Sequence, residues 1–432
     1  MTTHRHAASI FMAALVLVTT ARADNSLWTG AGSNALWSTT DNWLITPVPG
    51  PTDTASFLDS GNGNTTVDLG SGVTVGAILF DSSSVAAYTI GSGAVGSQNL
   101  TLDPSIGTIT MSASVAANET FNANVLLGTG AAGTWTFTNN STTNTLLLSG
   151  AVQGGTGGSA GAQTLTVGGD GNTTISGTIR NGGASSLALT KSGAGTLALS
   201  GTNTFTGGAT LNGGTLLLNS RGALGTIGTI GFAGGTLRSS ANNALDYSSR
   251  FSTAANQAYS LDTNGQAVML ATALTSSGGS LTKLGNGTLT LAGANTYTGA
   301  TTISGGTLQI GWGFTSGALA AGSSITNNGT LAFNRTNAVT QGTDFSTAGI
   351  TGTGALVQMG TSTLALNANN AYTGSTTVNL GTLTVSGAAG AISGTSGIAL
   401  NSGTVTVTNL AAEFGVNRIA DAAGIASNGG TF

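Results

Sequence analysis

Residues 185–220 read SSLALTKSGAGTLALSGTNTFTGGATLNGGTLLLNS. The pattern returns at 278–312 as GGSLTKLGNGTLTLAGANTYTGATTISGGTLQIGW and at 353–387 as TGALVQMGTSTLALNANNAYTGSTTVNLGTLTVSG. The three align without a gap. Leu197 matches Leu289 and Leu364, Asn203 matches Asn295 and Asn370, and Phe205 matches Tyr297 and Tyr372. Gly207 matches Gly299 and Gly374, and Leu216 matches Leu308 and Leu383. Self-similarity of this kind marks a repeat architecture, in which each unit buries its apolar face against its neighbours.

Within a unit the apolar residues alternate, as in Leu197-x-Leu199 and Leu216-x-Leu218. That is the period of a strand with one buried face. The intervening Thr, Ser, Ala and Asn are small and partly β-branched, which favours strands over helices. Gly-Gly, Asn-Gly and Thr-Gly pairs between strands supply the freedom of tight turns. The physical reading is a β-solenoid, one coil lying on the next.

The run L-x-K-x-G-x-G-T-L-x-L-x-G-x-N-x-[FY]-T-G, followed by T-x-x-x-G-G-T-L, spans Leu189 to Leu216 and Leu281 to Leu308. It resembles the autotransporter-associated β-strand repeat of bacterial surface proteins. The third copy departs from it: Gln358 replaces the lysine, and Leu380 replaces the first glycine of the pair. The resemblance implies an all-β, right-handed parallel β-helix that is the exported passenger region of a larger protein. Asn203, Phe205, Gly207, Asn295, Tyr297, Gly299, Asn370, Tyr372 and Gly374 are then structural positions of the repeat.

Composition agrees with a packed solenoid. Gly contributes 70 of 432 residues and Pro only 4, without the third-residue period of collagen. Charged residues are 6% and hydrophobic ones 39%, the reverse of a disordered chain. The 92 residues from Lys191 to Lys283 and the 75 from Lys283 to Gln358 hold several coils each, at roughly 20–30 residues per coil. With strands stacking at about 4.8 Å, some 15–20 coils would form a rod of ~70–100 Å.

Residues 1–23 read as a cleavable signal peptide. His4, Arg5 and His6 precede the apolar run Ala7 to Val18, and Ala21-Arg22-Ala23 fits the cleavage rule. Cleavage after Ala23 places the protein in the secreted fraction or on the outer cell surface, with no transmembrane segment in the mature chain. It also leaves 8 basic against 14 acidic residues, a net charge of −6 without a basic patch, so nucleic acid is not an expected partner. Residues 24–60 hold Trp28, Trp37 and Trp43 and three of the four prolines. This stretch is expected to be an N-terminal cap over the solenoid of 61–432; an indole platform for carbohydrate is the competing reading. The Gly429-Gly430-Thr431-Phe432 ending looks like the start of another unit, so a truncated C-terminus is expected.

The missing chemistry is equally informative. His4 and His6 are the only histidines and there is no cysteine. A mature chain starting at Asp24 therefore carries no Ser-His-Asp triad, no Cys-His pair and no ordinary zinc site. No catalytic residue, metal or cofactor is assigned. Gly157 to Gly161 matches the nucleophile-elbow string without strand, helix or histidine. The Gly91-x-Gly93-x-x-Gly96 and Gly128-x-Gly130-x-x-Gly133 strings open no helix and read as turns. Asp53, Asp59 and Asp68, near Asn62 and Asn64, are the densest acidic group. Either a calcium corner or polar turns would account for it. Lys191 and Lys283 are the chain's only lysines and share a repeat position; a solvated turn position is expected for both. The aromatics at 205, 297 and 372 are expected to pack over the neighbouring coil, with an exposed glycan-binding ladder as the alternative.

These readings converge on an exported, non-enzymatic structural passenger. The competing functions are a carbohydrate-binding adhesin and a polysaccharide lyase or hydrolase of the same fold. Surface glycans or neighbouring surface proteins are the partners in view. An enzyme of this kind would need two or more carboxylates and an arginine within about 5–8 Å on one face.

Overall fold

The computed structural model describes residues 25–44, 47–128, 132–155, 161–408 and 417–432. The expected leader and its cleavage site lie outside the described residues, as do Glu413, the string at 157–160 and Gly130. Over the described residues the chain is an all-β solenoid of about 15 turns. Its strands form five parallel sheets of 9, 5, 12, 8 and 4 strands. Each strand hydrogen-bonds to the strand one coil before and one coil after it, so local sequence order becomes order along the axis.

The alternation read from the sequence is the alternation of burial. Thr196–Leu199, Thr288–Leu291 and Thr363–Leu366 each bury their second and fourth residues and leave the first and third half-covered. Inward residues then stack in columns, such as Leu197 on Leu216 on Leu237. Each fully buried Leu, Ile or Phe contributes roughly 1.5–3 kcal/mol. Outside the clear copies, GGTLRSS at 234–240, NNGTLAF at 327–333 and NSGTVTV at 401–407 look like partial units, and they supply rungs at Thr236–Arg238, Thr330–Arg335 and Thr404–Val407.

The coil shortens on the way into the first repeat. Phe137 pairs with Val167, Val167 with Lys191 and Lys191 with Leu211, so successive turns take 30, 24 and 20 residues. The early turns have three strands, and the third face ends at Ile179–Arg180. In the first repeat the extended segment at Asn203 and Thr204 lies on that last strand instead, with Thr204 N donating to Ile179 O (2.8 Å). Turns of the clear repeat therefore need only two strands and one clamped corner.

The three repeat copies do not share a face. The strand carrying Lys191 lies in the nine-stranded sheet, that of Lys283 in the twelve-stranded sheet and that of Gln358 in the eight-stranded sheet. Each copy thus begins one sheet further round. The first slip falls at 239–257. Phe251 bridges Ile230 and closes the nine-stranded sheet, and Ala258–Asp262 then stacks on Thr236–Arg238. Arg250 ties this crossover down, donating to the carbonyls of Leu224, Gly225, Ile227 and Gly228.

Trp28, Trp37 and Trp43 are buried, against the platform reading of that stretch. Trp43 sits edge-on to both Trp28 (5.1 Å) and Trp37 (4.8 Å), and Trp28 and Trp43 lie over Phe57. Their indole faces are covered by one another and by the first rungs, which leaves none of the three open to a sugar ring.

Candidate functional site

Three polar devices recur at fixed repeat positions, all in the interior. The first corrects the expected solvated lysines: Lys191 and Lys283 are buried. The stem of Lys191 occupies an inward column between Val167 and Leu211. Its Nζ reaches the corner and donates to the carbonyls of Ser192, Gly193 (3.0 Å) and Gly213 (3.4 Å). Lys283 repeats this with Leu284 (2.8 Å), Gly285 (2.7 Å) and Gly305 (3.1 Å). Two acceptors lie in the lysine's own turn and the third lies one coil on, so a single ammonium staples two stacked corners. A long apolar stem with a charged tip suits this task. Burial pushes both ammonium groups down to about 8, with Asp170 opposing for Lys191 and Asp262 for Lys283. Carbonyl acceptors favour the charged form.

In the third copy the departures at Gln358 and Leu380 are linked. Gln358 is shorter, and its Nε2 donates to Gly360 and Ser362 (both 2.9 Å), within its own turn. Leu380 stands where Gly213 and Gly305 offer the inter-coil carbonyl. The side chain that cannot reach the next coil therefore occurs together with loss of the glycine it would have reached. Gly381 at the next position is retained with φ +67°, as Gly214 (+58°) and Gly306 (+62°) are, because that corner needs the left-handed region.

The second device is the asparagine. Asn203 Oδ1 accepts from Ile179 N (2.7 Å) one coil back, and its Nδ2 donates to Ala223 O (2.6 Å) one coil on. Asn295 does the same between Leu274 N (2.9 Å) and Ala318 O (2.8 Å), and Asn370 between Ile350 N (2.9 Å) and Ala391 O (3.2 Å). All three are buried. One planar amide spans three coils and satisfies backbone groups that the missing third strand would have paired.

The third device is the aromatic that follows. Phe205, Tyr297 and Tyr372 are buried, so they form no exposed ladder. Tyr297 OH pairs with Thr301 Oγ1 (2.6 Å), which pairs with Ser323 Oγ (2.9 Å); Tyr372 pairs with Thr376, which pairs with Thr395, at the same distances. Phe205 has no hydroxyl, and Ala209 stands where the threonine would be. Gly207, Gly299 and Gly374 lie against the preceding coil's backbone, where a Cβ would clash.

Asp53, Asp59 and Asp68 each accept from a nearby backbone N–H, of Gly50, Gly61 and Gly70, at 2.8 Å. Asp68 also accepts from Gln98 (2.6 Å); the Gly70 and Gln98 bonds hold its carboxyl below the usual range. Among the described residues no three Asp, Glu, His or Cys side chains come together. The salt bridges there, Arg238–Asp262 (2.6 Å) and Arg335–Asp344 (2.9 Å), use one carboxylate each. A small apolar gap between Leu237, Tyr247, Phe251 and Leu270 at the first slip measures about 20 Å³. That is room for roughly one water.

Sequence reasoning missed two features. Glu119 is buried, accepts from Tyr88 N (3.0 Å) through one oxygen and leaves Oε1 without a partner, and burial pushes it up to about 8. Trp312 and Phe314 are exposed, their rings 4.8 Å apart. The signal for the pair was a length difference: seven positions separate Ile310 from Gly317-Ala318-Leu319, against four from Leu218 to Gly222-Ala223-Leu224.

Comparison with known proteins agrees with this geometry. The passenger-associated-transport repeat matches residues 189–218, 281–310 and 356–385. The chain thus carries three copies of a repeat found in autotransporter passengers. It is similar to the adhesin BmaC autotransporter of Brucella suis biovar 1, at 34% identity over 236 residues. That alignment covers 50% of this chain and 6% of the relative. No solved structure matches. Among the described residues no helix is long and apolar enough to cross a membrane.

Proposed function

We propose that the chain is an exported, non-enzymatic structural segment of a bacterial surface protein, a stiff β-helix that supports display or export. The observation carrying this is the repetition of buried, partnered clamps at Lys191 and Lys283, and at Asn203, Asn295 and Asn370. A reacting group is needed once and in contact with substrate, whereas these recur and face the interior. Their common effect is cohesion between coils, the requirement for a rod built from nearest-neighbour contacts. The passenger-type repeats and the autotransporter relative support a secreted or surface location. Surface detection of the native product in intact cells tests the reading, with an N295A/N370A variant beside it. Surface signal that falls several-fold in the variant supports it. Signal confined to the cytoplasm, or display unchanged with both clamps removed, contradicts it.

Adhesion is the second reading, favoured by the relative's designation as an adhesin and by the exposed aromatic pair at 312 and 314. Its partners would be surface glycans or neighbouring surface proteins. The hydrolase or lyase reading finds no support among the described carboxylates.

A further inference from the structure

The segment 311–317 is an insertion on an otherwise regular corner. Copies one and three pass from the end of the strand (Leu218, Val385) to the Gly-Ala-Leu or Gly-Ala-Ile corner in four and five positions, whereas copy two takes seven. The extra residues form a closed-neck loop. Gly317 packs directly on Gly311, where a Cβ on Gly317 would clash. Both neck glycines are buried and the five residues between them, Trp312 to Ser316, are all exposed. Gly311, Gly313 and Gly317 have φ of +78°, +90° and +106°, so the loop's course depends on them. Gln309 Nε2 holds its entry through Gly311 O (2.8 Å), and Thr336 N holds Phe314 O (3.0 Å).

This braced tip presents the two aromatic rings outward, with Trp312 47% and Phe314 57% exposed, centroids 4.8 Å apart and planes at 48°. Its surroundings are polar and uncharged: Thr315, Ser316, Asn334, Thr336 and Asn337. The one ion pair nearby is spent inside the fold, because Arg335 is buried and bonded to Asp344 and Gly317 O (both 2.9 Å). Without a free cation the patch suits neither phosphate nor an anionic headgroup. Two rings fall far short of the ~800 Å² per partner of a stable protein interface. A ligand with an apolar C–H face edged by neutral hydroxyls fits the two rings and the amides beside them.

We propose that Trp312 and Phe314 form a stacking site for a neutral hexopyranose chain. Its biological sense rests on the reading of the chain as a surface passenger. The site itself does not, since the coil clamps and the cell location are measured independently of it.

Trp28, Trp37, Trp43 and Trp135 are buried, so Trp312 is the tryptophan that acrylamide can quench in the folded protein. The purified chain is titrated with hexamers of β-1,4-glucose, α-1,4-glucose and β-1,4-N-acetylglucosamine, up to about 10 mM given the weak affinity of a two-ring site. At least one hexamer is expected to shield Trp312 from acrylamide. Calorimetry with that hexamer is expected to show W312A binding at least about tenfold more weakly. F314A is expected to weaken binding in the same direction, with the thermal midpoints of both variants unchanged. The proposal is overturned if no hexamer shields Trp312, or if W312A and F314A bind as the parent does. Shielding that grows with protein concentration in sugar-free buffer also overturns it, since a second copy would then cover the rings.

Discussion

A lysine buried among carbonyls is a commitment that a single substitution can expose. In K283M the apolar stem survives, but three carbonyls at two stacked corners lose a charge-assisted donor. Leaving them unpaired is expected to cost about 2–4 kcal/mol. K283Q is expected to cost less, because Gln358 already serves two carbonyls of an equivalent corner. Urea denaturation of the two variants beside the parent measures the order. Glu119 acts in the opposite sense. Its folded-state value of about 8 lies above the ordinary glutamate value of 4.5, so between these values the folded chain holds a proton that the unfolded chain has released. Stability from this group therefore falls as pH rises from about 4.5 to 8, by up to ~1.4 kcal/mol per pH unit. E119Q keeps an acceptor for Tyr88 N and cannot ionise, so it is expected to raise the thermal midpoint at pH 8 and flatten its dependence between pH 5 and 8. A midpoint at pH 8 no higher than the parent's would contradict the assignment.

Within one repeat, the hydroxyl chain Tyr–Thr–Ser/Thr gives a test that uses the chain's own variation. F205Y puts a hydroxyl beside Ala209, where its copies have Thr301 and Thr376, and is expected to cost about 1–3 kcal/mol. F205Y/A209T restores the pair, and a double-mutant cycle should show a coupling of roughly 0.5–1.5 kcal/mol in its favour. What the sequence reveals at this scale is uneven for a physical reason. Alternation at Leu197-x-Leu199 identifies the strands because burial acts on every second side chain. It is silent about Lys191, since a lysine's usual place is in water and nothing in the residue itself signals a carbonyl cage. The clue lies in a pair of positions, Lys with Gly213 and Gln358 with Leu380, which have meaning only when one coil is laid on the next. The same holds for Trp312 and Phe314: the repeat alignment shows three extra residues, but only the fold shows that they point outward.

Across the whole molecule, the spacings of 92 and 75 residues count coils but not faces, so the step of each copy onto a new sheet is invisible in the sequence. The step is tolerable because the clamps act locally, between one coil and the next, and do not require a fixed face. Stability in such a rod is a sum of neighbour terms, and a lost clamp should be felt nearby. Amide hydrogen exchange of the parent and N295A is the measurement that tests this most directly. Asn295 joins the coils at Leu274 and Ala318. Faster exchange is expected across roughly 258–335, on either side of the lost amide, with Thr108–Met111 and Thr173–Ile175 protected as in the parent. Equal acceleration along the whole chain, or no acceleration beside residue 295, would contradict a rod held together by repeated clamps between coils.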